Sequence, residues 1–358
     1  MIRVLECVVG MNRAGIETLL MELYRHMDRS RVQMDFLVSL EGAYDDEIRA
    51  LGGRIWRIPF ISQVGPFAYG ASLRRFFRDH PEYRIVHVHM DKFGAEVCRQ
   101  ARRAGVPVRI LHGHSTKNEG GLAYQLVKNY YGQFWPAATD YFACSTEAAR
   151  FCCGGAWQQA VILKNGVDTA RFCPPDAPAP ADRFVVGHVG RFLPVKNHAF
   201  LLDVFRLIHD AVPAARLVLV GEGPLQPEMQ RKAADLGLAE AVTFYGTTDD
   251  VAGVEKGFDV FVMPSRFEGL GIALIEAQSC GLPCIASDAV PRETDVSGQV
   301  QYLSLDAGPE AWAKAVLAAR ALPRRDCRDK IRAAGYDIAA SAAFLQDFYE
   351  RKAGEATA

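Results

Sequence analysis

Short apolar runs rich in β-branched residues alternate with helix-patterned segments along this chain, and the alternation occurs twice. The first series runs from Ile2–Val9 to Val108–Leu111, and the second from Phe184–Val189 to Pro283–Ala286. Such alternation is typical of a parallel sheet with helical crossovers. The sequence therefore predicts an α/β protein with two doubly wound, Rossmann-like domains. The remaining predicted helices and strands are Ile16–His26, Val32–Val38, Arg84–His89, Phe93–Ala104, His198–His209, Arg216–Val220, Val242–Tyr245, Val260–Met263, Leu270–Ser279, Ala311–Arg320 and Ile338–Lys352.

A proline-rich segment separates the two series. The prolines between Phe172 and Pro180 interrupt any helix or strand, so this segment is predicted to link two domains. A length of 358 residues also exceeds what one hydrophobic core usually fills. We expect an N-terminal domain over residues 1–170, a C-terminal domain over 171–335 and a helical segment over 336–358. Because open sheets bind ligands at the carboxyl ends of their strands, the domains are expected to face a central cleft.

The composition narrows the class of partner. A hydrophobic content of 49% is that of a globular protein. The formal net charge of -1 supplies no positive potential that would attract nucleic acid. The nine cysteines show no metal-site spacing, so reduced cytosolic thiols are expected. The start at Met1 shows no signal peptide, and no apolar run has membrane length. The sequence predicts a cytoplasmic protein with no nucleic-acid partner.

A basic loop follows the predicted strand Phe184–Val189. Gly190 and Arg191 end that strand, and Lys196 follows five residues after Arg191. An arginine can hold two phosphate oxygens at once, and a lysine adds a point charge. The loop is predicted to bind a diphosphate, and a solvated basic loop is the alternative that this segment alone leaves open.

Two glycine-containing turns follow later strands of the second series. Gly221-Glu222-Gly223 allows a ligand to approach the backbone, and Pro264 to Gly271 leads into a helix whose free N–H groups favour a diphosphate. Glu268 in this turn and Glu276 two helical turns later form a Glu-x7-Glu pattern that can bind sugar hydroxyls and a ribose diol. The alternative is a helix cap at Glu268 and an exposed acid at Glu276.

In order and spacing these motifs closely resemble those of glycosyltransferase family 4, retaining enzymes of the GT-B fold with two Rossmann-like domains. The resemblance covers most of the C-terminal half, and the Glu276 to Cys284 run is most similar to transferases that build bacterial exopolysaccharide and capsule. The matching residues are Asn165 to Asp168, Gly190-Arg191, Lys196-Asn197-His198, Val220 to Leu225, Pro264-Ser265, Glu268 to Gly271, Glu276-Ala277-Gln278, Gly281 to Cys284, Ser287-Asp288 and Glu293.

The resemblance implies a donor site in the C-terminal domain. By position, Arg191 and Lys196 would hold the donor diphosphate, Glu268 would contact the transferred sugar, and Glu276 would bind ribose. The donor is expected to be a nucleotide-diphosphate sugar, UDP-linked. No metal or other cofactor is expected to be required, because these cations and the helix dipole can stabilise the leaving diphosphate. The wider donor-binding set is Gly15, Gly190, Gly221, Gly269, Leu270, Gly271 and Ile272.

The first strand–helix turn departs from the family pattern. The family has paired glycines before Glu17, whereas Ala14 fills the first place here and Gly15 keeps the second. A nicotinamide dehydrogenase is a minor alternative, because Glu41 lies where such enzymes bind ribose. The spacing of Gly10 and Gly15 does not fit their GxGxxG motif.

Two histidines follow the predicted strand Val108–Leu111. His112 and His114 flank Gly113, and their place at a strand's carboxyl end is expected to direct them to the cleft. In the resembling family a histidine here contacts the donor sugar or lines the acceptor side. His112 is the first choice for the active-site histidine and His114 the second.

The first half also carries features that suit an anionic, lipid-linked acceptor. An aromatic stretch spans Tyr124–Trp135, with Lys117 and Lys128 nearby, and we expect a polyprenyl-diphosphate-linked sugar at the inner face of the cytoplasmic membrane. An ordinary amphipathic helix and a soluble glycan acceptor are the alternatives. The basic residues that support a peripheral membrane contact are Arg74, Arg75, Arg78, Arg99, Arg102 and Arg103.

Two other functions suit the same motifs. A nucleotide-sugar epimerase would use the same fold with acid and base groups at the sugar and no acceptor channel. A non-catalytic sensor would bind the nucleotide sugar without turnover. The resemblance also implies that the helix Ile338–Lys352 returns to the first domain.

Overall fold

The computed structural model describes residues 1–116, 121–177 and 183–357, apart from the side chains of Leu122, Ala123 and Thr357. The chain forms two compact units, each built around its own parallel sheet. Unit 1 comprises Met1–Gly166 and Ile338–Ala358, and unit 2 comprises Val167–Asp337. The α/β class that the sequence predicts is confirmed.

Unit 1 contains a seven-stranded parallel sheet in the order β3-β2-β1-β4-β5-β6-β7. Apolar side chains cover both faces of this sheet, which is why its middle strand, β4, is buried throughout. The chain moves outward from β1 to β3 and then returns to pair β4 with β1, so a topological switch lies between β1 and β4. The strands are β1 (Ile2–Cys7), β2 (Val32–Val38), β3 (Ile55–Arg57), β4 (Ile85–Val88), β5 (Val108–Gly113), β6 (Asp140–Ala143) and β7 (Val161–Ile162).

Helices lie on both faces of the unit 1 sheet. One face is covered by α3, α4 and α6, and the other by α1 together with α13, the last helix of the chain. The helices are α1 (Gly15–His26), α2 (Asp45–Ala50), α3 (Ile61–Asp79), α4 (Asp91–Arg103), α5 (Leu122–Gly132), α6 (Thr146–Cys152) and α13 (Ile338–Thr357).

Unit 2 repeats this arrangement with six parallel strands in the order β10-β9-β8-β11-β12-β13. Its switch lies between β8 and β11, so the loops after these two strands meet at one edge of the sheet. The strands are β8 (Phe184–Val189), β9 (Ala215–Val220), β10 (Val242–Gly246), β11 (Val260–Met263), β12 (Cys284–Ser287) and β13 (Val300–Leu303). The helices are α7 (His198–Ala211), α8 (Gln226–Asp235), α9 (Val251–Lys256), α10 (Ile272–Ser279), α11 (Gly308–Ala319) and α12 (Arg328–Ala333).

Some predicted boundaries were wrong. The last helix does not end at Lys352 but continues to Thr357, and α10 begins at Ile272 rather than at Leu270. The first strand ends at Cys7 instead of Val9. Part of the predicted linker, Pro178–Pro180, lies outside the described residues, as does Lys117. In the described part of the chain, no helix combines the length and apolar character that a membrane span needs.

A close contact inside unit 2 yields a test of the fold. A Cβ placed on Gly187 of β8 would lie 2.0 Å from Cδ2 of Phe258, so Gly187→Ala should lower the free energy of unfolding by about 2 kcal/mol through overpacking. Urea unfolding measures this loss. Phe258→Leu in the same chain should recover part of it, and a double variant whose loss equals the sum of the two single losses would contradict the contact.

Candidate functional site

Three loops are joined at the carboxyl edge of the unit 2 sheet. The N–H of Gly190, after β8, donates to the carbonyl of Val220 at 2.9 Å, at the end of β9. The N–H of Arg266, after β11, donates to the carbonyl of Val195 at 2.8 Å. These backbone bonds hold the loops after β8, β9 and β11 as one scaffold.

Glycines make this close approach of backbones feasible. Gly221 has φ +128°, and a Cβ there would lie 2.4 Å from the carbonyl oxygen of Gly190. Gly271 has φ +83° and precedes α10, whereas a Cβ on Gly269 would meet open space. The positive φ angles at positions 221 and 271 therefore favour glycine there, whereas Gly269 leaves open space beside the loop.

Charged groups stand on this scaffold. The Nζ of Lys196 lies 2.7 Å from Oε1 of Glu268, and the hydroxyl of Ser265 donates to the same oxygen at 2.6 Å. Arg191 is exposed, and among the residues that the structure describes no side chain pairs with it. The structure thus brings three of the sequence-predicted residues, Lys196, Glu268 and Arg191, to one edge of the sheet.

The helix α10 begins directly beside this group. Leu270 precedes Gly271 in the loop, and Ile272 starts the helix, whose first N–H groups have no acceptor within the helix itself. Glu276 is partly exposed one turn further along α10. The buried Glu255 lies near it, where burial and then the charge of Glu276 raise the pKa of Glu255 well above its usual range.

In unit 1, Gly15 is the exposed first residue of α1. Its Cβ position is open, and the preceding Ala14 makes no side-chain cap, so the N-terminal N–H groups of α1 are not satisfied by a capping side chain. The carboxyl end of β1 leads into this turn. The sequence-predicted Gly15 therefore lies at the switch point of its own sheet.

His112 lies on β5 and is fully buried. Its Nδ1 is 3.1 Å from Nε2 of His87 on β4, while its Nε2 has no hydrogen-bond partner among the described residues. His114 follows β5, and its Nε2 is 2.9 Å from Nδ1 of His89. His112 thus lies inside a cluster of histidine side chains at the carboxyl end of β5.

Two further side chains complete this cluster. Oε2 of Glu6 on β1 lies 2.9 Å from Nε2 of His89. The hydroxyl of Tyr349 on α13 donates to Oε1 of Glu6 at 3.0 Å and lies 2.6 Å from Nδ1 of His87. All of these groups belong to unit 1, and their burial removes the water that would otherwise solvate them.

Burial sets the protonation of the cluster. It raises the pKa of Glu6 to about 8 and lowers the pKa of His89 and that of His114 to about 3. It also lowers the pKa of His87 and of His112 well below the usual range. The histidines are therefore neutral at neutral pH.

The sequence motifs did not indicate His87, His89, Glu6 or Tyr349. A signal was available for two of them, because His87 and His89 alternate near the end of β4 as His112 and His114 do near the end of β5. Residues two apart along a strand point to the same face of the sheet, so the two histidines of β4 and the two of β5 can meet on one face. No local pattern indicates Glu6 or Tyr349 as partners.

Nitrogen atoms of His87, His89 and His112 lie within 4.8 Å of one another, close enough to share a metal ion. Both ring nitrogens of His87 and of His89, and Nδ1 of His112, already form hydrogen bonds within the cluster. These bonds explain the arrangement without an ion. Two pairs of adjacent acidic residues, Asp45-Asp46 and Asp249-Asp250, could also suggest a divalent-ion site. Asp45 pairs with Arg57, however, and Asp250 accepts a bond from the N–H of Gly253 at the start of α9.

Comparison with known proteins gives consistent matches along the chain. Residues 14–153 match the family model described as "Glycosyl transferase 4-like domain", and residues 183–321 match "Glycosyl transferases group 1". EpsF of Bacillus subtilis, named as a glycosyltransferase, is 37% identical over 369 residues, which covers 97% of this chain and 96% of that protein.

Other similar proteins extend this result. An Escherichia coli protein named as UDP-Gal:alpha-D-GlcNAc-diphosphoundecaprenol alpha-1,3-galactosyltransferase is 30% identical over 225 residues, 58% of each chain. The crystal structure of Anabaena HepE with UDP-glucose matches with a TM-score of 0.75 at 17% identity, covering 98% of this chain and 100% of that one. The structure of WaaG matches with a TM-score of 0.70 at 15% identity, covering 97% and 99%. These two likenesses confirm the fold of two Rossmann-like sheets.

The neutral, buried histidines predict sensitivity to acid. Unfolded histidine has a pKa near 6.5, so below this pH the unfolded state binds more protons and the free energy of unfolding falls as pH falls. At pH 5 each such histidine costs about 2 kcal/mol relative to neutral pH. Urea unfolding of the His112→Asn variant at pH 7 and pH 5 should therefore show a smaller loss on acidification than the unaltered protein shows. The exposed His26, changed to Asn, is the control, and an equal loss in all three proteins would contradict the neutral state of His112.

Proposed function

Since the chain belongs to the glycosyltransferases of family 4 and is an enzyme of that class, we propose that it is a retaining transferase of bacterial surface polysaccharide synthesis. It moves a sugar from a nucleotide-diphosphate donor, UDP-linked, to a glycan or lipid-linked glycan. The observation that carries this proposal is the meeting of Arg191, the Lys196–Glu268 pair and the start of α10 at one edge of the unit 2 sheet.

The donor diphosphate is held by two cations and a helix. Arg191 is exposed and can bind phosphate oxygens through two N–H groups, while the N–H groups of Ile272 and Ala273 at the start of α10 can donate to an anion. Lys196 exchanges its contact with Glu268 for a phosphate oxygen, which leaves the Glu268 carboxylate to accept a bond from a sugar hydroxyl. The UDP-glucose bound to HepE supports a UDP donor.

The chemistry is the displacement of this diphosphate. The bond from the anomeric carbon to the diphosphate breaks, its electron pair stays on the diphosphate oxygen, and Arg191, Lys196 and the α10 dipole stabilise the charge that develops there. The acceptor oxygen bonds to the anomeric carbon on the same face, and its proton passes to the departing diphosphate oxygen. These fixed positive groups serve where other transferases use a metal, so the reaction requires no cofactor.

The two regions of the chain bind different substrates. Residues 171–335 form the donor-binding domain and residues 1–170 the acceptor-side domain, to which the helix within 336–358 also belongs. His112 is the active-site histidine of the acceptor side, with Gly15 near the donor phosphate. The lipid-linked substrate named for the Escherichia coli relative supports a polyprenyl-diphosphate-linked acceptor.

Surface side chains of unit 1 support peripheral contact with an anionic membrane. The helix α5 exposes large apolar groups to solvent, which an ordinary covering helix would bury. Arg102 and Arg103 are exposed at the end of α4, whereas Arg99 is bonded to Glu96 at 2.6 Å. The exposed apolar residues of α5 are Tyr124, Leu126, Val127 and Tyr130.

Donor binding tests the site directly. Arg191→Ala and Glu276→Ala should each weaken the affinity for UDP-glucose at least about tenfold, the loss of one charge-assisted contact, while both variants keep the circular dichroism spectrum of the unaltered protein. Isothermal titration calorimetry measures the affinity. Arg216→Ala is the matched control, because Arg216 bonds to the carbonyls of Pro213 and Ala215 at the opposite edge of the sheet. Unchanged affinity in both site variants would overturn the assignment.

Membrane contact is tested by flotation with phosphatidylglycerol and phosphatidylcholine vesicles at low and high salt. The protein should float with the anionic vesicles at low salt only, and Arg102→Glu with Arg103→Glu should abolish this binding, since each basic residue contributes about 1 kcal/mol. The charge-matched control carries Arg231→Glu and Arg325→Glu, two exposed residues of unit 2. No flotation at low salt, together with equal transfer to soluble and lipid-linked glycans, would refute the membrane proposal and leave the donor site standing.

A further inference from the structure

The buried cluster of unit 1 is a single, unbranched line of hydrogen bonds. Its five links measure 3.1, 2.6, 3.0, 2.9 and 2.9 Å, so each side chain is bonded to the next. We call this line the Glu6 network. In order along the line, its members are His112, His87, Tyr349, Glu6, His89 and His114.

The two ends of the Glu6 network are open. Nε2 of His112 and Nδ1 of His114 are buried, and neither has a hydrogen-bond partner among the described residues. A buried nitrogen without a hydrogen-bond partner is destabilising, so two of them on one network require an explanation. Both histidines lie at the carboxyl end of β5, the edge where parallel sheets bind ligands.

When Glu6 is ionised, the number of hydrogens on the network determines the direction of each of its hydrogen bonds. A neutral imidazole has one N–H and one lone pair, and a phenol has one O–H. Glu6 then accepts from Tyr349 and from His89. Tyr349 must accept from Nδ1–H of His87, and His87 must accept from His112. On the other side, His89 must accept from His114. Both open nitrogens are then lone pairs that can only accept a hydrogen bond.

One added proton reverses one arm of the network. If Glu6 is protonated, its O–H donates either toward Tyr349 or toward His89, and every later bond in that arm must reverse. The terminal nitrogen of that arm, on His112 or on His114, then carries a hydrogen and becomes a donor. Because burial raises the pKa of Glu6 to about 8, both states are accessible near neutral pH.

We propose that Glu6 and Tyr349 are positioning residues: the single proton on Glu6 sets the tautomers of the two histidines in one arm of the network, and thereby whether the terminal histidine of that arm, His112 or His114, accepts or donates a hydrogen bond. The ligand chemistry that suits an accepting imidazole nitrogen is a hydroxyl group, as sugars provide. The role in sugar transfer rests on the proposed function, in which His112 serves the acceptor side.

Other ionisable groups that face the network do not disturb this count. On β1, burial raises the pKa of Cys7 well above its usual range, so its thiol stays neutral. Asp91 of α4 accepts bonds from the N–H of His114 and the hydroxyl of Ser115, and lies 3.4 Å from Nζ of Lys128 on α5. Its charge is balanced there, and it bonds to no ring nitrogen of the network in the described residues.

Nitrogen-15 NMR of the full chain with labelled histidine reads the tautomers. As pH rises from about 6 to about 9.5, both histidines of one arm should change tautomer with one common midpoint. Glu6→Gln should abolish this titration, because its amide presents one fixed donor and one fixed acceptor. Tyr349→Phe should alter His87 and His112 only. Tyr69→Phe removes another buried hydroxyl of unit 1 and should change none of the four.

The outcomes separate the network from the function. Separate midpoints, tautomers that ignore Glu6→Gln and Tyr349→Phe, or stoichiometric Zn²⁺ binding that the His87→Asn and His112→Asn variants lose would overturn the network. If the tautomers behave as expected, the network also has a kinetic consequence. Glu6→Gln should then lower kcat at least about tenfold with the KM for UDP-glucose unchanged.

Unchanged kcat with altered tautomers would overturn the role of the network in transfer. Absence of any transfer by the unaltered protein would instead refute the proposed function.

Discussion

The direction of the strands is the constraint on which the rest of this protein depends. In a parallel sheet every strand ends at the same edge, and the change of chain direction beside β1 and beside β8 opens that edge in both units. The positions of four candidate site residues follow from this arrangement: Gly15 follows β1, His112 lies near the end of β5, Arg191 follows β8 and Glu268 follows β11. Helices contribute chiefly by covering the faces and by directing their N-termini to this edge.

Charge is arranged differently in the two units. In unit 2 the cation Lys196 and the anion Glu268 form a largely buried ion pair, with side chains 20% and 9% exposed, in which each charge is balanced by the other. In unit 1 the ionisable groups of the Glu6 network are buried, and Glu6 faces neutral imidazoles rather than a cation. One site is therefore suited to bind a strongly charged ligand, and the other to sense the presence of a single proton.

The parts of the fold that could be predicted are those with a local cause. The loop from Gly190 to Lys196 and the turn before α10 carry their glycines and charges within a few residues of a strand, so their sequence indicates their place. The half-exposed β13 lacks the alternation that marks a strand, and α3 contains Gly65 with φ +78° followed by Pro66, which interrupts its helical pattern. The histidine cluster depends on strand neighbours and on a residue far along the chain, which no local pattern contains.

That distant residue has a consequence for how the protein is made. Tyr349 and the apolar side of α13 pack into unit 1, although 171 residues of unit 2, Val167–Asp337, are synthesised in between. At typical elongation rates the ribosome needs about ten to thirty seconds to produce that stretch. During this time the nascent first unit has one sheet face incompletely covered, whereas unit 2 can complete its own core as it emerges. Unit 2 can therefore complete its fold before unit 1, although most of unit 1 is synthesised earlier.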